Sequence, residues 1–149
     1  MKDDIDDIEK TVEHFTNPPM RGAHSSVTYK FKNAQGLGLY VIVTVDEFSV
    51  IKGIFMGIES SGTTLHNVVN CLGRILSLAI QEIRQKDPNQ LIPFLMKAVS
   101  NMQGISSDTV WMNDSLGRAN SIPEIIALIL LRQVEIDERM DENHSGEEE

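Results

Sequence analysis

Two arginines, each preceded by a glycine, and one hydroxyl-rich loop are the residues of this 149-residue chain with chemistry to offer. Arg74 follows Gly73 inside an apolar stretch, and Arg118 follows Gly117 two residues before Asn120. A guanidinium is a planar fork of N–H donors that matches phosphate or carboxylate oxygens two at a time. A glycine at its shoulder lets a backbone or a flat ligand come close. The loop is Ser60, Ser61, Gly62, Thr63 and Thr64, directly before a long helical pattern. The free N–H groups of a helix start are satisfied by side-chain caps or by an anion. Two readings therefore stand for each group. The hydroxyls cap the helix or border a ligand, and each guanidinium meets a carboxylate, carbonyl oxygens or a phosphate. The ligand reading expects residues 60–64, Arg74, Arg118 and Asn120 to converge around the start of a buried helix.

No residue set points to turnover. The loop lacks the lysine that a phosphate-binding P-loop places after its glycine. His66 and His24 have no second histidine at four-residue spacing and no clustered carboxylates beside them, so no metal is expected. Ser61, His66 and Glu59 can be named as nucleophile, base and acid, but nothing in their spacing selects them. Cys71, the single cysteine, falls within the apolar pattern and reads as a buried structural thiol. The expectation is a protein with no catalytic residues and no cofactor.

The charge is unevenly placed. The formal net charge is −9, yet residues 1–15 hold six acids and two bases and residues 134–149 hold eight and one, leaving eight acids against ten bases in 16–133. Acidic ends would repel a polyanion and no Lys/Arg run exists, so bulk nucleic acid is not the expected partner. A small anion remains open. The N-terminus lacks a signal-peptide pattern, and the longest apolar run, residues 125–131, is too short to span a bilayer. A cytoplasmic protein with no membrane partner is expected.

The elements that must position these groups follow from periodicity. Residues 3–15 space Ile5, Ile8, Val12 and Phe15 as a short amphipathic helix, and residues 16–25 read as a linker carrying Arg21. From Ser26 the period becomes two, predicting strands over 26–32, 39–45 and 50–56, joined by short turns into an antiparallel meander. In the 57–85 stretch, Leu65, Val68, Val69, Leu72, Leu76, Ala79 and Ile83 recur at helical steps, and Cys71, Ile75, Leu78 and Ile80 widen the apolar surface. Such a helix should be buried on more than one side. Asp87 and Pro88 predict a second helix that Gly104 ends. A polar loop around Trp111 follows, with the indole expected to pack over the core. Ser121 to Glu124 form a capping box for a last helix running to about Arg132, and an acidic tail expected to be disordered closes the chain.

The order TYKFKNAQGLGLYVIVTV, SSGTTLHNVVNCLGRILSLAIQ and GRANSIPEIIA resembles the TSCPD domain, found near the C-terminus of adenosylcobalamin-dependent ribonucleotide reductases and as small free-standing proteins. The resemblance covers about residues 18–132. Its most specific pieces are Gly73-Arg74 followed by Ile-Leu-Ser-Leu, and Ser121-Ile122-Pro123-Glu124 at the name-giving motif, where Ile122 and Glu124 replace cysteine and aspartate. The resemblance implies an accessory role beside a reductase subunit, with no reductase activity of its own.

These readings give an α+β domain: a three-stranded antiparallel meander packed by two or three helices over residues 26–133, with an acidic N-terminal segment and linker at 1–25 and an acidic tail at 134–149. The expected function is a non-catalytic module binding a nucleotide or other phosphate-bearing small molecule, working as a homo-oligomer because the apolar helix exceeds what a short sheet covers. The alternatives are an oligomeric viral sponge for a nucleotide-derived immune signal and a protein-binding adaptor of a reductase subunit.

Overall fold

A computed structural model describes residues 25–60 and 62–145, residues 140–145 by backbone alone. The amphipathic pattern at 3–15, Arg21, His24 and Ser61 lie outside the described residues. Three long strands open the fold, β1 (Ser25–Lys32), β2 (Gly38–Val45) and β3 (Ile51–Ile58). They pair antiparallel as the two-residue period predicts, Phe31 opposite Leu39 and Val41 opposite Met56, with a register shift between Thr44 and Val45. The Asn33 side chain fixes the first turn by accepting the N–H groups of Gln35 and Leu37, and Asp46 does the same for Phe48 and Val50 in the second.

Helix α1 spans Thr64–Lys86. A 3-10 turn at Pro88–Gln90 precedes α2, Leu91–Met102. The second helix therefore starts at Leu91, and Asp87 makes no side-chain cap. Pro93 falls in its first turn, where its missing N–H costs nothing.

The polar loop expected before the last helix holds a hairpin of two short strands, β4 (Trp111–Asn113) and β5 (Gly117–Ala119). Lys32 pairs with Met112 and extends the meander to five strands in the order β3-β2-β1-β4-β5. Three-residue strands are too short to leave a period in the sequence. Helix α3, Ile122–Ser145, continues past Arg132, and Gln133 and Val134 are buried, so the start of the stretch read as a tail belongs to the core.

One face of the sheet carries the core. Phe31, Leu39, Val41, Val43 and Ile54 are fully buried together with Ile125, Ile126, Ile129 and Leu130 of α3, and Trp111 packs among them as expected. Among the described residues no helix is long and apolar enough to cross a membrane.

Candidate functional site

Helix α1 lies along the outer edge of β3 and supplies what a sixth strand would. An edge strand presents unpaired N–H and C=O groups. Here the outward groups of β3 meet side chains of α1. Ser77 Oγ accepts the N–H of Ile54 at 2.8 Å and donates to its carbonyl at 2.6 Å. His66 Nδ1 sits 3.2 Å from Ile58 N and 3.1 Å from Ile58 O, so one tautomer accepts and the other donates. Asn70 donates to Met56 O at 3.4 Å, and Arg84 donates to Ile51 O at 2.9 Å and to Asp46 at 2.9 Å. Burial raises the Asp46 carboxyl, but the hydrogen bond from Arg84, the Val50 and Phe48 amides and the Arg84 charge together hold it below its ordinary value. Gly73 marks the closest approach. A Cβ there would stand 3.1 Å from Met56 N, inside ordinary contact distance. The glycine before Arg74 thus admits a strand of this chain rather than a ligand.

These edge-capping side chains went unread in the sequence, although a signal exists. His66, Asn70, Gly73, Ser77 and Arg84 recur at four-, three-, four- and seven-residue steps, one face of a helix. That polar row looks inward, beside Val69 and Ile80, which are buried in the core. A second apolar stripe looks out: Leu65, Val68, Ile75 and Leu78 are 42%, 58%, 60% and 56% exposed, and Cys71 is exposed too. The expectation of a helix buried on more than one side, and of a buried thiol, is corrected accordingly. An open apolar groove of about 440 Å³ runs along this face, floored by Val68, Leu72 and Ile75.

The sequence-predicted site residues fall at three places in the single chain. Thr63 caps α1, its hydroxyl accepting the His66 N–H at 3.2 Å and donating to Ser60 O at 3.0 Å. The capping reading of the loop is realised, with Ser60, Gly62 and Thr64 exposed around it. Arg74 lies ten residues further on, about 15 Å along the axis at 1.5 Å per residue. Its side chain is exposed, not buried in an apolar setting, and makes no ion pair or hydrogen bond among the described residues. Arg118 is in β5, at the opposite end of the sheet from β3 and α1. Four strand spacings of about 4.8 Å separate β5 from β3, so the two arginines do not meet within one chain. Gly117 serves a hairpin turn with φ of 82°. Arg118 donates to Asn120 Oδ1 at 3.0 Å, and Asn120 donates through N and Nδ2 to Glu124 at 3.1 and 3.2 Å. Ser121 caps α3 by accepting the Glu124 N–H, while the Glu124 carboxylate reaches the Asn120 amide, one residue before the reciprocal partner expected. Arg118 and Asn120 therefore brace the start of α3.

The sheet face opposite the core offers a different grouping. By register Lys30, Lys32, Tyr40, Ile42 and Phe55 share it. A Cβ on Gly57 would collide with the Tyr40 ring, so that ring lies across β3. Tyr40, Ile42 and Phe55 are half-buried and the lysines exposed. Lys30 pairs with Glu59 at 2.5 Å, and its hydrogen bond and charge, with a smaller contribution from Lys32, hold the Glu59 carboxyl below its usual range. The 60–64 loop begins one residue after Glu59, at the lysine end. Arg74 borders the same face from the side. It shares a flank of α1 with Gln81, whose amide lies 4.0 Å from the Cβ position of Gly53. A cleft of about 440 Å³ on the other side of the molecule is lined by Tyr29, Leu116, Leu128 and an Arg132–Glu135 pair at 3.8 Å. Among the described residues no group of three His, Cys, Asp or Glu is placed to hold a metal ion.

Comparison of the chain with models of protein families, with curated proteins and with solved structures finds no match.

Proposed function

We propose that this chain is a non-catalytic module that binds a nucleotide or similar phosphate-bearing small molecule on the face of its sheet opposite the core. One observation carries the reading. Two half-buried aromatic side chains, Tyr40 and Phe55, lie on the sheet face opposite the core with Lys30 and Lys32, bordered by Arg74, which makes no ion pair or hydrogen bond among the described residues. Sheet aromatics stack bases whatever their identity, and exposed cations take up phosphate oxygens. A ligand lying flat across Tyr40 and Phe55 would reach Arg74 on one side and the lysines, with Ser60, Gly62, Thr63 and Thr64 behind them, at one end. Arg118 and Asn120 have no part in this site. The resemblance to TSCPD domains supports a ligand of nucleotide type.

A thermal-shift panel of nucleoside mono-, di- and triphosphates tests the reading. The parent protein should be stabilised by at least one of them, and Arg74→Ala or Phe55→Leu should lose that shift while remaining folded. Arg118→Ala should keep it. A parent protein that no nucleotide stabilises would refute the reading.

The second reading, a protein-binding adaptor, is favoured by the outer face of α1. Large exposed aliphatics in a contiguous stripe mark a surface that another protein covers. A photo-crosslinking residue at Ile75 should then form a discrete adduct in the intact protein, and one at Lys97 on α2 should not.

A further inference from the structure

We infer that Glu59 closes the phosphate seat of this sheet face in the free protein, and that a ligand with a terminal phosphate enters by displacing its carboxylate. By register Lys32, Gly38 and Glu59 stand side by side across β1, β2 and the residue after β3, and the Glu59 N–H donates to Gly38 O at 3.0 Å. Gly38 has no side chain to fill its place on that face, and the Glu59 carboxylate lies there instead. A Cβ on Gly38 would fall 2.5 Å from the carboxyl carbon and 2.6 and 2.7 Å from its oxygens, and Gly38 is buried beneath them. From that position the carboxylate pairs with Lys30 at 2.5 Å, within the field of Lys32. The next row across the sheet holds Lys30, Tyr40 and Gly57, so the seat adjoins the ring on which a base would stack. Once Glu59 swings away, the place has a glycine backbone as its floor, two ammonium groups at its side and an aromatic ring as its neighbour.

Charge decides which phosphate can take that place. Two ammonium groups against one carboxylate leave the seat with a single positive charge to spare. A monoanionic phosphodiester that expels Glu59 exchanges one negative charge for another, and the expelled carboxylate stays close enough to repel it. A terminal phosphate carries about −1.5 to −2 charges at pH 7 and can answer both lysines at once. The ligand class is therefore a nucleotide with a phosphomonoester end, rather than a cyclic or internal diester. An exposed ion pair is weak, so Glu59 holds the seat closed by a factor of only about two to five. That is enough to turn away a weak anion and too little to exclude a dianion.

This inference rests on the nucleotide-binding reading of the same face, and the two fail differently. Calorimetric titrations at neutral pH compare adenosine monophosphate with its cyclic diester on the parent protein, Glu59→Gln and Glu135→Gln. The parent protein should bind the monophosphate at least about threefold more tightly than the diester, the worth of one added exposed ion pair. Glu59→Gln should tighten the monophosphate by a further factor of about three or more, as the competing pair is lost. Glu135→Gln removes the same charge from the other side of the molecule and should leave the affinity unchanged. A monophosphate affinity that Glu59→Gln leaves unchanged or weakens would overturn the inference while the nucleotide reading stands. Equal gains in Glu59→Gln and Glu135→Gln would overturn it as well, since net charge alone would then account for them. A diester bound as tightly as the monophosphate would overturn the phosphomonoester class. Binding of neither nucleotide to the parent protein or to Glu59→Gln would remove the inference, and the thermal-shift panel then decides whether the nucleotide reading falls with it.

Discussion

The two faces of α1 are both partly apolar, unlike those of an ordinary amphipathic helix. The inward face mixes buried aliphatics, Val69 and Ile80, with a polar or small row, His66, Asn70, Gly73 and Ser77, that meets backbone N–H and C=O groups along the edge of β3. The outward face is aliphatic, with Val68, Ile75 and Leu78 more than half exposed. Helix α3 gives a fuller aliphatic face to the core: Ile125, Ile126, Ile129 and Leu130 are fully buried over the sheet. The lesson is that apolar periodicity identifies a face that needs cover without saying what covers it. Helix α1, docked on a strand edge, uses hydrogen-bonding side chains together with Val69 and Ile80 for its own fold and leaves a second apolar stripe outside.

Substitutions on the inward face should cost folding stability, in an order set by what each leaves unsatisfied. Ser77→Ala strands both polar groups of Ile54 in a buried setting, at 1–3 kcal/mol each by the cost of an unmade bond, so a loss of about 3 kcal/mol is expected in urea unfolding. Gly73→Val forces α1 off β3 against a backbone atom, which should cost about 2 kcal/mol as overpacking does. Arg84→Met removes hydrogen bonds to Ile51 O and Asp46, and about 1–2 kcal/mol should go with them. A loss below about 0.5 kcal/mol for Ser77→Ala would show that the edge is held by other means.

Acid sharpens the same comparison. The Asp46 carboxyl is depressed in the folded protein relative to an ordinary value of 3.8. Its contribution is therefore fully present above that ordinary value and is lost as pH falls through the depressed one. Asp46→Asn should flatten the fall in stability below about pH 4 and leave the neutral-pH slope unchanged. The smallest effects belong outside. Ile75→Asp should change the unfolding free energy of the dilute monomer by no more than about 0.5 kcal/mol, as exposed sites do. Glu59→Gln, which breaks an exposed ion pair, should leave the melting temperature unchanged.

Much of the fold was legible because its signals are local. The alternation Val27, Tyr29, Phe31 and the β-branched run at 39–45 mark strands β1 and β2, and the Ser121–Glu124 pattern marks the start of α3. The β4–β5 hairpin was not, since its three-residue strands are held by tertiary pairing at Lys32 and by Asn113, whose amide donates to Lys30 O. The site was less legible still. Arg74 and Arg118 share a Gly-Arg pattern, yet one glycine admits a strand and the other makes a turn, a difference that appears only once α1 and β5 take opposite edges. Cys71 and Ile75 read as core because a helical wheel carries no information about which side faces water.

The central claim, that α1 stands in for a strand at the edge of β3, is tested most directly by amide hydrogen exchange at Ile54. In the parent protein this amide should be protected like the paired amides of β2, and in Ser77→Ala it should exchange about 100-fold faster, the equivalent of about 3 kcal/mol. Ile75→Asp should leave it unchanged. An Ile54 amide that exchanges freely in the parent protein, or that Ser77→Ala does not affect, would contradict the account.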